Sequence, residues 1–192
     1  ESIQGLSPEW LPSLTHACEK LDPEWTESFL SSADRRPLRP WLRARMPSFP
    51  EAARTIALGL ADAPLALVAE RQERERIDAE LAAVGGRLIG AVEGFDCRQC
   101  HALGGVPATG DQGTQVSLGI DFAEAGARLR PGYYRRWMRD PTSIDPLTKM
   151  PRYSEDGRTT KVPLLEGQAE AQFEAILQFL REAGATKAAA ER

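Results

Sequence analysis

Cys97-Arg98-Gln99-Cys100-His101 is the stretch that decides how this chain is read. Two thiols three positions apart, with an imidazole directly after the second, form the pattern C-x-x-C-H. The bare thiol pair admits several chemistries. Zinc would need four ligands, usually in two pairs. Outside the motif the chain offers only Cys18 and His16, with no second C-x-x-C. A thioredoxin-type dithiol should follow a strand and open a helix, and no strand-rich region precedes Cys97. The added His specifies covalent haem attachment. The thiols add across the haem vinyl groups as thioethers, and the imidazole next to them takes the proximal side of the iron.

An iron held by one His needs a second axial group or an open position. A Met thioether is soft and raises the potential relative to a second His. The chain has three Met. Met138 lies in Tyr133-Tyr134-Arg135-Arg136-Trp137-Met138-Arg139-Asp140-Pro141, an amphipathic run closed by Pro, and reads as core on a helix. Met150 lies in Asp145-Pro146-Leu147-Thr148-Lys149-Met150-Pro151-Arg152-Tyr153, which prolines keep from being a long helix. A loop can lay that side chain against the open face of the haem, so Met150 is the candidate distal ligand.

With these segments in view, residues 85–184 resemble a class I cytochrome c domain. The matching parts are Gly86-Arg87-Leu88-Ile89-Gly90, the C-R-Q-C-H motif, the helix from Arg128-Leu129 to Pro141, K-M-P-R-Y, and Phe173-Glu174-Ala175-Ile176-Leu177-Gln178-Phe179-Leu180. The resemblance implies an all-α, cytochrome c-like fold wrapped round one covalent haem c. His101 and Met150 are its implied iron ligands. It also implies electron transfer to a redox protein partner. Such domains often carry Gly-Pro-x-Leu after the haem motif, where the Pro carbonyl accepts the proximal His N–H. Here the stretch is Gly119-Ile120-Asp121-Phe122, and the Ile120 carbonyl takes that place. By the same likeness Arg128 and Trp137 are candidates for the haem propionates, and Tyr153 for a hydrogen bond beside the Met loop. The first and last helices of the family cross at small residues, for which Gly86 and Gly90 are available. Haem attachment of this type takes place outside the bacterial inner membrane, so the resemblance implies a periplasmic or otherwise extracytoplasmic protein. A peroxidase-like enzyme or a haem-based sensor is the alternative, and either requires a displaceable Met150.

The chain also repeats itself. Cys18-Glu19-Lys20-Leu21-Asp22-Pro23-Glu24-Trp25 aligns with Gly126-Ala127-Arg128-Leu129-Arg130-Pro131-Gly132-Tyr133, 108 positions on. Arg45-Met46-Pro47-Ser48-Phe49 aligns with Lys149-Met150-Pro151-Arg152-Tyr153, 104 positions on, and Ile56-Ala57-Leu58-Gly59-Leu60 with Ile176-Leu177-Gln178-Phe179-Leu180, 120 positions on. Residues 1–61 therefore read as the back half of a second such domain, without its haem-attachment half. Two readings stand. An upstream segment carries a first haem with Met46 as its distal ligand, or the first copy is a haem-free relic. His16 and Cys18 read as structural residues.

Residues 62–84 separate the copies and are expected to form a charged linker helix over 66–83. Glu70 with Arg74, and Arg76 with Glu80, stand four apart on it. Gly85-Gly86 is expected to break or bend it. The haem-containing unit is placed at 85–185, with a frayed end after Gly184. The net charge of −4 and the lack of a basic-aromatic patch argue against nucleic acid. No run approaches the roughly 20 apolar residues of a membrane helix.

Overall fold

A computed structural model of the protein describes residues 14–32, 38, 46–61, 76–110 and 118–190. The fold is all-α. Among the described residues no regular strand forms, only isolated bridges. The helices are α1 (Ala17–Lys20), α2 (Pro23–Ser31), α3 (Ala53–Leu60), α4 (Ala79–Leu88), α5 (Phe122–Arg128), α6 (Pro131–Arg139), α7 (Pro141–Ile144) and α8 (Ala169–Ala190). Single 3₁₀ turns occur at Cys97–Gln99 and Leu164–Gly167.

Local chemistry sets the helix starts. Pro stands in the first turn of α2, α6 and α7, where its missing N–H costs nothing. Asp22, Asp78, Asp121 and Asp140 each accept a backbone N–H as the N-cap of α2, α4, α5 and α7. Asp78 also donates its own N–H to Gln178 Oε1 on α8, at 3.1 Å.

The 22-residue α8 is the spine. It packs along both α4 and α5, and both crossings are made by glycine. A Cβ on Gly85 would collide with the Ala175 carbonyl and come within 2.8 Å of Phe179 Cβ. One on Gly126 would collide with the Leu180 carbonyl, and one on Gly184 would lie 2.8 Å from Ala127 N. The backbones therefore touch, and Leu88, Ile176, Leu177 and Leu180 close over the contact. Burying one such side chain contributes about 1.5–3 kcal/mol, more than the roughly 1 kcal/mol that a glycine costs inside a helix.

This packing corrects several expectations. Gly85-Gly86 does not break a helix; both glycines lie inside α4, because the crossing requires one of them. Gly85, not Gly86 or Gly90, makes the close contact. A Cβ on Gly86 would meet only the edge of the Phe179 ring at 3.3 Å, and one on Gly90 meets a carbonyl of its own segment. Residues 76–78 are not helical, so Arg76 and Glu80 do not share a helix face. Residues 62–75, with Glu70 and Arg74, lie outside the described residues. The last helix continues past Gly184. It runs to Ala190, and Lys187 on it pairs with Glu124 of α5.

The two copies meet about a local two-fold axis. Leu21 and Leu129 form an antiparallel bridge. Asp22 N–H donates to the Arg128 carbonyl at 2.8 Å, and Arg130 N–H donates to the Lys20 carbonyl at 2.9 Å. Asp22 and Arg130, like Lys20 and Arg128, stand 108 positions apart. The same hydrogen bond is thus made twice, once in each direction. Ring contacts repeat the relation: Lys20 Nζ lies 5.4 Å from the Tyr133 ring centroid, and Arg128 Cζ 5.9 Å from that of Trp25. Each such contact contributes about 0.5–1 kcal/mol at a partly exposed site. Arg136 pairs with Glu19, and Arg130 Nη1 donates to the Cys18 carbonyl at 2.6 Å. Within each copy the aromatic pair recurs as well. Trp25 stacks on Phe29 at 4.8 Å, and Tyr133 on Trp137 at 6.0 Å.

Candidate cofactor site

The chain leaves α4 and is turned straight into the Cys-Cys-His motif. Phe95 N–H donates to the Leu88 carbonyl at 2.7 Å and Asp96 N–H to the Gly90 carbonyl at 3.0 Å. Gly94 permits this return, because a Cβ there would collide with the Leu88 carbonyl. Asp96 adopts a left-handed conformation (φ 54°), which short polar side chains tolerate best after glycine. The motif then winds into its 3₁₀ turn, with Cys100 N–H and His101 N–H both donating to the Cys97 carbonyl, at 3.2 and 3.0 Å. Arg98 staples the turn from outside. Its guanidinium donates to the His101 carbonyl at 2.6 Å and to the Pro107 carbonyl at 3.0 Å.

His101 is held on three sides. Its Nδ1 lies 2.7 Å from the Ile120 carbonyl. A carbonyl can only accept, so Nδ1 carries the proton and the Nε2 lone pair is left for another partner. Phe122 stacks on the ring at 4.5 Å with 13° between the planes. Gly119 also lies close against the ring, where a Cβ would come within 2.6 Å of both ring nitrogens. Gly119 N–H also donates to the Cys100 carbonyl at 2.8 Å, so the two segments run side by side.

Asp121 stiffens this segment. Its carboxylate accepts from Gly104 N–H at 2.9 Å, Gly105 N–H at 2.8 Å and Ala123 N–H at 2.8 Å. Asp121 thereby ties the loop after the motif to the start of α5 and fixes the neighbouring Ile120 carbonyl. Asp121 and Phe122 went unread in the sequence as site residues. The signal for Asp121 was the capping pattern Asp121-Phe122-Ala123-Glu124.

The other candidates fall into two groups. Met150, Trp137 and Tyr153 pack against the same apolar cluster as Cys97. Trp137 Nε1 donates to Met150 Sδ at 2.9 Å, which leaves the sulfur a second lone pair. Tyr153 leans on Phe95 at 4.6 Å, and its hydroxyl lies 4.0 Å from Cys97 Sγ. Arg128 stands apart from these, at the seam with the first copy over Trp25. Met138 is buried in the core, and Met46 is half exposed.

Gln172 secures the loop that follows Met150. It is fully buried on α8. Its Nε2 donates to the Val162 and Leu164 carbonyls at 2.8 and 2.6 Å, and its Oε1 accepts from Thr160 Oγ1 at 2.6 Å. An isolated Gln in an amphipathic run gave no sequence signal for this role.

Burial sets the protonation of the motif. It pushes the Cys97 thiol up to about 11 and raises Cys100 as well. Redox-active dithiols work the other way, with a lowered thiol that supplies thiolate at neutral pH. Burial also lowers the His101 pKa, against a smaller opposite effect of the Ile120 hydrogen bond. The imidazole is therefore neutral at pH 7, the form that can ligate a metal. Among the described residues no group of three or more His, Cys, Asp or Glu side chains is arranged to hold a metal ion.

The residues present fit a haem c. Two neutral thiols stand beside a neutral imidazole whose Nε2 is unengaged by its carbonyl bond. The Gly119 cradle admits the ring and nothing larger, and an apolar cluster containing a Met thioether lies alongside. No helix among the described residues is long and apolar enough to cross a membrane. No protein-family model matches the chain, nor does any curated protein or solved structure.

Proposed function

We propose that the second copy is a cytochrome c domain that carries one covalent haem c and transfers electrons to a redox protein partner. The observation that carries this reading is the His101–Ile120 hydrogen bond beside two unionised thiols. Haem iron, when bound, supplies a one-electron ferric/ferrous couple. Everything else is the work of the chain. Cys97 and Cys100 would hold the haem as thioethers, each S–H adding across one vinyl C=C with no leaving group.

His101 presents Nε2 and is kept from rotating by Ile120, Phe122 and Gly119. The Ile120 carbonyl makes the imidazole a stronger donor. Met150, held by Trp137, would supply a thioether ligand to the iron. The apolar cluster round Cys97 disfavours added charge, which favours the reduced state. Arg128, at the seam over Trp25, is left out of this assignment. A periplasmic or otherwise extracytoplasmic location follows from this reading, because attachment takes place there.

The test is a denatured mass and an absorption spectrum of this chain matured with haem. The mass should exceed that of the polypeptide by one haem, and Cys97→Ala with Cys100→Ala should abolish the increment. The ferric form should be low-spin with the near-infrared Met–iron band. Met150→Ala should keep the haem and lose that band. A high-spin ferric spectrum in the unsubstituted protein would instead indicate an open iron position, as a peroxidase-like enzyme requires.

A further inference from the structure

Between α7 and α8 the chain runs from Asp145 to Gln168 without an α-helix, and Met150 lies near the start of that run. A side chain on such a segment is placed only as firmly as the segment itself. The one printed bond to the Met150 sulfur comes from the Trp137 indole, and a thioether is a weak acceptor. Something else must fix the backbone.

The segment after Met150 is folded back on itself and tied to α8. Tyr153 leans on Phe95, whose ring in turn faces Phe173 of α8 at 6.3 Å. Ser154 is fully buried, and its hydroxyl donates to Asp156 at 3.1 Å. The Asp156 carboxylate also accepts from Arg158 N–H at 2.8 Å and Thr159 N–H at 2.7 Å. Thr160 N–H then donates to the Gly167 carbonyl at 2.9 Å, and Ala169 N–H to the Arg158 carbonyl at 2.8 Å.

This closure runs against backbone preference. Leu165 and Glu166 are left-handed, at φ 52° and 57°, just before Gly167 at 71°. Only glycine takes that conformation freely, so two successive other residues must be held in it. The fully buried Gln172, on the neighbouring turn of α8, is placed to do so. Both protons of its amide go to carbonyls of the segment, Val162 and Leu164, and its oxygen takes the Thr160 hydroxyl.

We propose that Gln172 is a positioning residue for Met150. With Thr160 it closes residues 153–168 into a strap that keeps the Met150 thioether in place against a competing small nitrogen base. The strap thereby favours the electron carrier over the peroxidase-like alternative, which requires Met150 to be displaced. The proposal rests on the reading of Met150 as an iron ligand.

The test uses this chain matured with haem and imidazole as the competing base. Gln172→Leu should keep the haem mass and weaken the near-infrared Met–iron band. Imidazole should then displace Met150 at about one tenth of the concentration, because the strap's buried polar groups have lost their partners. Thr160→Val, a milder change, should shift both readouts in the same direction and carries the test alone if Gln172→Leu does not fold. Gln178→Leu is the control: it removes another buried Gln of α8, one that accepts from Asp78 N–H, and should leave band and imidazole midpoint unchanged. In the haem-free chain the amides of Thr160, Gln168 and Ala169 should exchange faster in Gln172→Leu or Thr160→Val. Unaltered exchange overturns the proposal. So does faster exchange with an unchanged band and imidazole midpoint, or an equal shift in Gln178→Leu; each leaves the haem reading standing. A chain that takes up no haem overturns both.

Discussion

Replacing Gly119 by Ala should release His101, and the cost can be worked from the geometry. A Cβ at this position would lie 2.6 Å from His101 Nδ1 and from Nε2. Ordinary van der Waals contact begins near 3.4 Å and His101 Cε1 would be nearer still than the nitrogens, so the ring or the segment must move by about 1 Å or more. The Phe122 stack at 4.5 Å blocks the ring's retreat, and the Asp121 bonds to Gly104, Gly105 and Ala123 block the segment's. Overpacking of this kind costs about 1–3 kcal/mol. Loss of the Nδ1–Ile120 hydrogen bond adds about 1 kcal/mol. The sum, about 2–4 kcal/mol, would be read as a lower urea midpoint at unchanged slope. Gly59→Ala is the matched control: it has open space within a helix and should stabilise by about 0.5–1 kcal/mol. In a haem-loaded protein Gly119→Ala should also raise the potential, since losing the Ile120 bond leaves the imidazole a weaker donor, and broaden the Met–iron band. Equal urea midpoints for Gly119→Ala and the unsubstituted chain would refute the cradle and, with it, the reason given for the His101 tautomer.

Three further outcomes follow from other parts of the molecule. Asp121→Ala removes the acceptor of three backbone N–H groups and should cost about 1–2 kcal/mol as a lost cap; hydrogen exchange at Gly104 and Gly105 should rise, whereas Asp121→Asn should restore much of the protection. Gly85→Ala should separate α4 from α8 and destabilise by roughly 2 kcal/mol or more, while Gly86→Ala, which meets only the edge of a ring, should cost far less; equal thermal midpoints for the two would contradict the crossing. Burial raises the pKa of Tyr134 well above its ordinary value and pushes Tyr133 up to about 12. An acid whose folded pKa is raised contributes stability that is intact below the unfolded pKa, near 10, and is lost as pH climbs beyond it. Stability should therefore be flat in this respect to pH 10 and fall above it. Tyr134→Phe should cost about 1 kcal/mol at pH 7 for the lost bond to the Phe173 carbonyl and should flatten the alkaline fall.

The seam between the copies bears on how a partner could approach. Arg128, Arg130, Arg136 and Lys20 all contact the facing copy there, through ring faces, carbonyls and Glu19. These four cations are thus engaged, at least in part, inside the chain.

Helix types, the Pro and Asp starts, and the grouping of Cys97, Cys100 and His101 were legible in the sequence because they depend on residues within a turn or two of each other. So was the repeat, since counterparts keep their order whatever surrounds them. The Trp137 N–H bond to Met150 Sδ, a partner 13 positions away across a Pro-rich loop, was not legible. The roles of Gly85, Gly119 and Gln172 were not readable either, because a glycine that breaks a helix and one that lets two helices touch look alike until the opposing backbone is placed. The two-fold pairing of Leu21 with Leu129 likewise needed tertiary structure. Sequence shows that two segments are alike; only their packing decides that they meet, because a backbone edge satisfies its hydrogen bonds with whichever strand the fold brings alongside.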